Sequence, residues 1–378
     1  MSEGAGSHES SPIAEESAVV AEEETIVDES IEELPSSNNI IARLENLFKS
    51  YGLTPFSCKI AVEFIKKYVN SNASNDEFPH LIPYLLDELN GRSKGSIRAE
   101  RDITDWQCGC PNRINGLRSA PFWDKSEFSW ISILENSVDD IKNEFFKVRQ
   151  IAENNQIFQH YTTPTAAGVN ENQTSSGRWN VCYLYLHGVD FTDNLDKFPI
   201  TKDIINRIPR HYSHAFFSAL APGTHIIKHF GPTNKKLRIH IPLIVPSNNA
   251  WLRVADVKHY LKEGEIIIFD DSHEHEAAND SVADPRVVLV IDIWHPDLTD
   301  KEIKFFQFIN NQQIIAAKRM HKQRRVEIGE EEAGRTGEEE AGRDGGADGN
   351  DFLTAILNAR SKSNVPVEEI WGHKVIDD

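Results

Sequence analysis

Leu237-Arg238-Ile239-His240-Ile241 alternates apolar and cationic side chains with a period of two, the spacing of a β-strand. Leu237, Ile239 and Ile241 share one face, and Arg238 and His240 share the other, which looks either at solvent or into a polar pocket. Working outward, the same period predicts strands over 180–186, 214–220, 224–229, 236–245, 251–254, 265–269, 273–277 and 287–294. They are short, β-branched and separated by Pro, Gly or Asn turns at even spacing. That pattern favours a mainly β jelly roll or related double-sheet barrel over a parallel α/β sheet. Upstream the period changes to that of helices, over 40–72, 78–89 and 129–153, where Ile131, Leu134, Val138, Ile141 and Phe145 form a core-facing stripe.

The chain of 378 residues carries a formal charge of −19, concentrated near its ends. Residues 1–38 hold eleven acids and no Lys or Arg, and residues 326–350 hold nine acids and two Arg, leaving about −1 for everything else. Both segments lack apolar periodicity, and Gly329-Glu330-Glu331-Glu332-Ala333-Gly334-Arg335 repeats at Gly337–Arg343. Sequences of this kind bury too little surface to offset chain entropy, so disordered acidic tails are expected. The expected layout is an acidic segment over 1–38, a small helical region over 39–103, a barrel domain over 104–325, an acidic linker over 326–350 and a tail with a short helix over 351–378.

No stretch reaches the roughly 18 apolar residues of a membrane span, and the N-terminus lacks a signal pattern. The reading is a cytoplasmic protein, with a nuclear location left open, and no nucleic-acid partner. Cys58, Cys108, Cys110 and Cys182 are too few for a disulfide framework and agree with a reducing compartment. Cys108 and Cys110 read as ordinary thiols, since no second pair stands at zinc spacing.

Two histidines carry the chemistry. His229 lies in His229-Phe230-Gly231-Pro232-Thr233-Asn234, and His275 is followed eleven positions later by Arg286. This spacing suggests a non-haem iron site beside an anchor for a dicarboxylate. In the usual two-His-one-carboxylate triad the acid stands two positions after the first His. Here that position is Gly231. A dicarboxylate requires a cation at each end, and a guanidinium clamps a carboxylate bidentately as Lys cannot. Arg286 and the Arg238/His240 face provide such groups. Among the other histidines, His225, His273 and His295 read as structural, although His273 shares a strand face with His275. Asp270-Asp271 reads as a turn closing a strand rather than an acid/base pair. The basic run 318–325 reads as a solvated helix end as readily as a nuclear or anionic contact.

Several of these stretches, taken in order, resemble the aspartyl/asparaginyl β-hydroxylase family. They are Phe217-Ser218 through Thr224-His225, His229 to Asn234, Leu237 to His240, Ile268 to Ser272, Glu274-His275-Glu276 and Asp292-Ile293-Trp294-His295-Pro296. Gly116 to Trp123 and Trp179 resemble that family's entry segments, and the likeness covers about half the chain. It implies a double-stranded β-helix of the cupin-like kind, and an Fe(II)- and 2-oxoglutarate-dependent dioxygenase that uses O2 to hydroxylate an unactivated C–H. The resemblance assigns His229 and His275 to iron, Arg286 with Ser218 to the distal carboxylate of 2-oxoglutarate, and Arg238 with His240 to its other end. Trp179 and Arg118 are assigned to substrate. Gly in place of the triad acid is a trait of the family.

The implied acceptor is the β-carbon of Asp or Asn in a peptide or protein. Alternatives are a small molecule or a lipid acyl chain, since a similar bacterial branch hydroxylates lipid-linked acyl chains, or a silent binding scaffold of the same fold. Animal members are membrane-anchored with helical repeats, and neither feature stands in this sequence.

Overall fold

The computed structural model describes residues 37–69, 76–91, 105–151, 157–161, 163–165, 168–170 and 174–334, with 37–39, 159–160, 163–165, 168–170 and 320–334 described by their backbone alone. The expected disorder of residues 1–36 and of residues 335–350, and the short helix expected within 351–378, lie outside the described residues. The helices are α1 (Ser37–Ser50), α2 (Pro55–Val69), α3 (Leu81–Leu89), α4 (Ile131–Glu135), α5 (Val138–Gln150), α6 (Thr192–Leu195), α7 (Pro199–Asn206) and α8 (Asp300–Gly334). The strands begin with β1 (Phe122–Trp123), β2 (Gln159–His160), β3 (Thr163–Thr165), β4 (Gly168–Asn170), β5 (Thr174–Ser176), β6 (Trp179–Leu186) and β7 (Val189–Asp190). The remainder are β8 (His211–Leu220), β9 (Thr224–His229), β10 (Lys236–Ile244), β11 (Ala250–Val254), β12 (Val257–Tyr260), β13 (Ile267–Phe269), β14 (His275–Asn279) and β15 (Arg286–Trp294).

From β8 onward the chain switches repeatedly between two antiparallel sheets. The larger has the order β1-β13-β10-β15-β8-β6-β2 and the smaller β12-β11-β14-β9-β5. The eight strands β8 to β15 therefore form a double-stranded β-helix. The alternation in β10 explains how the larger sheet is buried on both faces. Leu237, Ile239 and Ile241 pack outward beneath α4, α5 and α7, against Phe145, Phe198 and Ile204. The opposite face, carrying Arg238 and His240, lies between the sheets with Phe216, Phe269, Val288 and Val290 and, from the smaller sheet, Leu252 and Ala277. At about 25 cal/mol per Å2, the apolar area removed on those two faces is the dominant stabilising term.

The helical stretch expected over 40–72 is two helices. Gly52 takes φ +84°, a left-handed turn that costs glycine little, and Pro55 opens α2. α1 to α3 pack with α8 and Trp294 in a separate apolar cluster. Likewise 129–153 breaks into α4 and α5 at Asn136-Ser137. α6 and α7 were not expected, and α8 continues through 326–334, the first part of the stretch read as an acidic linker. No helix among the described residues is long and apolar enough to cross a membrane.

Candidate functional site

β9 and β14 pair in register His275↔His229, which brings together two residues 46 positions apart in sequence. Their ring centroids stand 4.0 Å apart. His229 Nδ1 lies 2.8 Å from the carbonyl of Ile227, and His275 Nδ1 lies 2.8 Å from that of His273. A carbonyl only accepts, so each Nδ1 carries the proton and each neutral ring keeps its lone pair on Nε2, as a metal ligand requires. Burial holds the pKa of both rings below the ordinary histidine value, His275 furthest, with His229 beside it acting in the same direction. Both are neutral near pH 7. The competing ring is turned away: His273 precedes β14, with Nε2 3.1 Å from Ser119 Oγ and Nδ1 3.3 Å from the carbonyl of Asp270.

Both histidines line a cavity of about 870 Å3 that also contacts Trp179, Arg238, Asp271 and α8. Gly231 forms part of that wall. A Cβ on it would lie 2.7 Å from Asp271 Cγ and 2.8 Å from Asp271 Oδ1, and its N–H donates to the Asp271 carbonyl at 2.7 Å. The space a triad acid would use at position 231 is thus filled by a carboxylate from the turn before β14. Asp271 Oδ2 accepts from Lys236 Nζ at 2.7 Å, while its buried Oδ1 has no hydrogen-bond partner. Asp271 lines the same cavity as the two imidazoles, but among the described residues no three His, Cys, Asp or Glu side chains stand close enough to hold a metal ion together. The donors that fit a metal are therefore the two neutral imidazoles of His229 and His275, with its remaining positions left to water or a bound ligand. Reading Asp270-Asp271 as a turn was right about the backbone, yet it missed Asp271 as a wall of the cavity.

Asp271 belongs to a larger buried network. Lys236 Nζ also reaches Asp292 Oδ2 at 3.0 Å, and Arg238 donates to Asp292 through Nε at 2.8 Å and Nη2 at 2.9 Å. Arg238 Nη1 lies 3.1 Å from Asp271 Oδ2, and His214 Nδ1 lies 2.8 Å from Asp292 Oδ2. The cations Arg238 and Lys236, with His214, hold Asp292 far below the ordinary carboxylate range against the burial that opposes ionisation. Lys236, which the sequence reading did not single out, falls by the same alternation on the face of Arg238 and His240. Only the β10–β15 register, Arg238↔Asp292, shows what they face.

Arg286 is placed differently. It is 1 % exposed, donates from Nη1 to Ser218 Oγ at 3.2 Å, leaves Nε without a partner, and has no carboxylate within ion-pair reach among the described residues. Burial alone draws its pKa down to about 9. Its position follows from the registers Arg286↔Leu220 and Trp179↔Leu220, and Trp179 Nε1 donates to the same Ser218 Oγ at 3.0 Å. Arg286, Ser218 and His240 are not among the residues that line this cavity, whereas Trp179, stacked on Tyr161 at 3.7 Å, is. His240 has its Nδ1 unpartnered and feels both Arg286 and Arg238.

Arg118 stands apart from these residues. Its guanidinium is committed to Asp297 (2.9 Å) and Glu127 (2.8 Å) over the Trp123 ring, outside the cavity. Its charge is paired with Asp297 and Glu127 and its side chain is 55 % exposed. His225 faces Ser175 and Glu276 at 2.9 Å each, and His295 Nε2 lies 3.0 Å from the Arg118 carbonyl.

Comparison with known proteins bears on this arrangement. Residues 135–296 match the family model described as aspartyl/asparaginyl beta-hydroxylase. The ornithine lipid ester-linked acyl 2-hydroxylase of Rhizobium tropici is 34 % identical over 207 residues, 54 % of this chain and 71 % of that protein. The chain belongs to the aspartyl/asparaginyl β-hydroxylase family. The human aspartyl/asparaginyl beta-hydroxylase is 29 % identical over 204 residues, 52 % of this chain but a quarter (25 %) of its own length. Human aspartate beta-hydroxylase domain-containing protein 2 is 32 % identical over 186 residues, 47 % of this chain and 48 % of that protein. Among solved structures, a Pseudomonas putida prolyl-4-hydroxylase aligns over 44 % of this chain and 99 % of its own at 12 % identity, with a TM-score of 0.28. The fold assignment rests on the strand order above and not on that likeness.

Proposed function

We propose that this family member is an Fe(II)- and 2-oxoglutarate-dependent hydroxylase whose acceptor is the β-carbon of Asp or Asn in a polypeptide. The observation that carries the reading is Arg286, a buried guanidinium without a counter-ion, on the same inter-sheet face as the groups beside the histidine pair. A buried cation of this kind is costly unless an anion completes it. A dicarboxylate seated on Arg286 and Ser218 would supply that anion and reach toward the histidines. Fe(II) held by His229 and His275 would supply the oxidising chemistry when bound.

The remaining roles belong to side chains. Trp179 holds Ser218 by its indole N–H, so the hydroxyl keeps one orientation toward the anchored carboxylate. Arg238 and Lys236 are neutralised by Asp271 and Asp292, which keeps four formal charges inside the barrel without a net excess. Arg238 thus steers by its remaining N–H groups, not as a free cation. The apolar inter-sheet cluster around Phe216 and Phe269 excludes water from the cosubstrate side. A lipid acyl acceptor is the second reading, favoured by the Rhizobium relative's name and coverage.

The test is formation of succinate from 2-oxoglutarate with Fe(II), with and without candidate peptides, comparing the parent with His275→Ala. Turnover that needs both the metal and His275 is expected. Equal turnover in the two proteins, or none in either, would sink the enzyme reading, and mass spectrometry for a +O product separates peptide from lipid.

A further inference from the structure

Lys235 is the cation of the cavity that the network above leaves aside. Lys236 and Arg238 are each held by Asp271 and Asp292, whereas Lys235 Nζ has no carboxylate within 4 Å among the described residues and feels the charge of Glu88 only from farther away. It sits over the rings of Phe306 (4.8 Å to the centroid) and Tyr84 (5.6 Å) and lines the same cavity as His229 and His275. Burial lowers its pKa to about 8.

The neighbouring wall is α8, which lies wholly beyond the segment matched to the family. It presents Gln307, Asn310, Asn311 and Gln313 to the cavity. Asn310 Nδ2 donates to the His187 carbonyl at 3.0 Å, which fixes this part of the helix against the turn after β6. Primary amides offer donor and acceptor together, matching the N–H and C=O of an extended backbone. A hydrocarbon chain on the same wall would strip their water without replacing it.

We propose that Lys235 and the α8 amides Gln307, Asn310 and Asn311 form a second subsite that binds an acidic polypeptide, Lys235 taking a carboxylate of a residue other than the one that reacts. This deepens the hydroxylase reading and rests on it only for what happens at the histidine end. The aromatic seat of Lys235 has a plain structural alternative, a lysine satisfied by cation–π contact alone. Binding specificity separates the two.

The experiment uses the full chain and reads binding, not turnover. A fluorescein-labelled Gly/Ser peptide with one Asp and one nearby Glu, and its Glu→Gln counterpart, are titrated by anisotropy into the parent, Lys235→Met, Lys235→Arg and the Gln307→Ala/Asn311→Ala pair. The parent should prefer the Glu peptide about tenfold, the increment of one charge-assisted hydrogen bond. Lys235→Met should erase the preference, Lys235→Arg should keep it, and the α8 pair should weaken both peptides equally. Should Lys235→Met fail to fold, Lys235→Gln reads the same difference. An unchanged preference in the neutral variant, no preference in the parent, or Lys235-dependent binding of phosphatidylglycerol vesicles but of neither peptide overturns the subsite. Lys235-dependent peptide binding without any succinate formation would instead count against the enzyme reading and leave the subsite standing.

Discussion

Replacing Gly231 by alanine tests how this site is assembled around a carboxylate from another part of the chain. The added Cβ would stand 2.7 Å from Asp271 Cγ and 2.8 Å from both its backbone oxygen and Oδ1, so Asp271 or the β9 end must move. If the β9–turn clasp gives as a unit, the cost is that of overpacking, about 1–3 kcal/mol. If Asp271 swings off Lys236, a pair buried to 1 % on both sides is broken, adding about 3–5 kcal/mol. At roughly 2–4 °C per kcal/mol for a domain of this size, Gly231→Ala should lower Tm by at least a few degrees. Gly231→Asp, which restores the acid of the usual triad, should be worse, because it sets a second carboxylate against Asp271. Calorimetry of the metal-free variants, with anaerobic Fe(II) titration of each, provides the measurement. A Gly231→Ala protein with parental Tm, or a Gly231→Asp protein that binds Fe(II) more tightly than the parent, would refute this account.

Other consequences follow from the same geometry. Arg286→Met removes a buried guanidinium with no counter-ion, so the apo protein should hold its Tm or gain stability, while the KM for 2-oxoglutarate rises about 10- to 100-fold for a lost charged hydrogen bond or two; a fall in Tm with unchanged KM would assign Arg286 to packing. Asp292 is held well below the ordinary carboxylate range, so its contribution is present above the unfolded value near 4 and is lost as pH falls through the lower folded value. Urea midpoints should therefore drop on the acid side, and Asp292→Asn should lose about 3–5 kcal/mol at neutral pH while flattening that acid limb. Arg118→Ala should change stability by less than about 1 kcal/mol and leave cosubstrate turnover intact, since its pairs are exposed; a loss of turnover would return Arg118 to the site.

Much of the barrel was legible because strand alternation is local. The strand expected over 224–229 coincides with β9, and those expected over 236–245 and 287–294 differ from β10 and β15 by a residue at one end. Short elements were not legible: β1, β7 and β12 are two to four residues long and gain their definition from a neighbour's hydrogen bonds, not from their own composition. Of α8 only the basic run 318–325 was legible, as a helix end; its first part was hidden because amides and charges dilute the apolar stripe that Ile303, Phe306 and Ile309 bury against the N-terminal helices.

By itself the sequence determined which residues share a face: Arg238 and His240 on one side of a strand, Leu237, Ile239 and Ile241 on the other. It also carried the histidine pair, the glycine in place of the acid, and Arg286 at a strand start, since each is a matter of residue type and spacing. Tertiary structure decided which face is the inside and which charges meet there. Asp271 finds Lys236 35 positions away, Asp292 finds Arg238 at 54, and Lys235 meets a helix more than 60 positions on. The reason is physical: a side chain's direction follows from its own backbone, but its charge state and its partner depend on which strand the fold lays beside it.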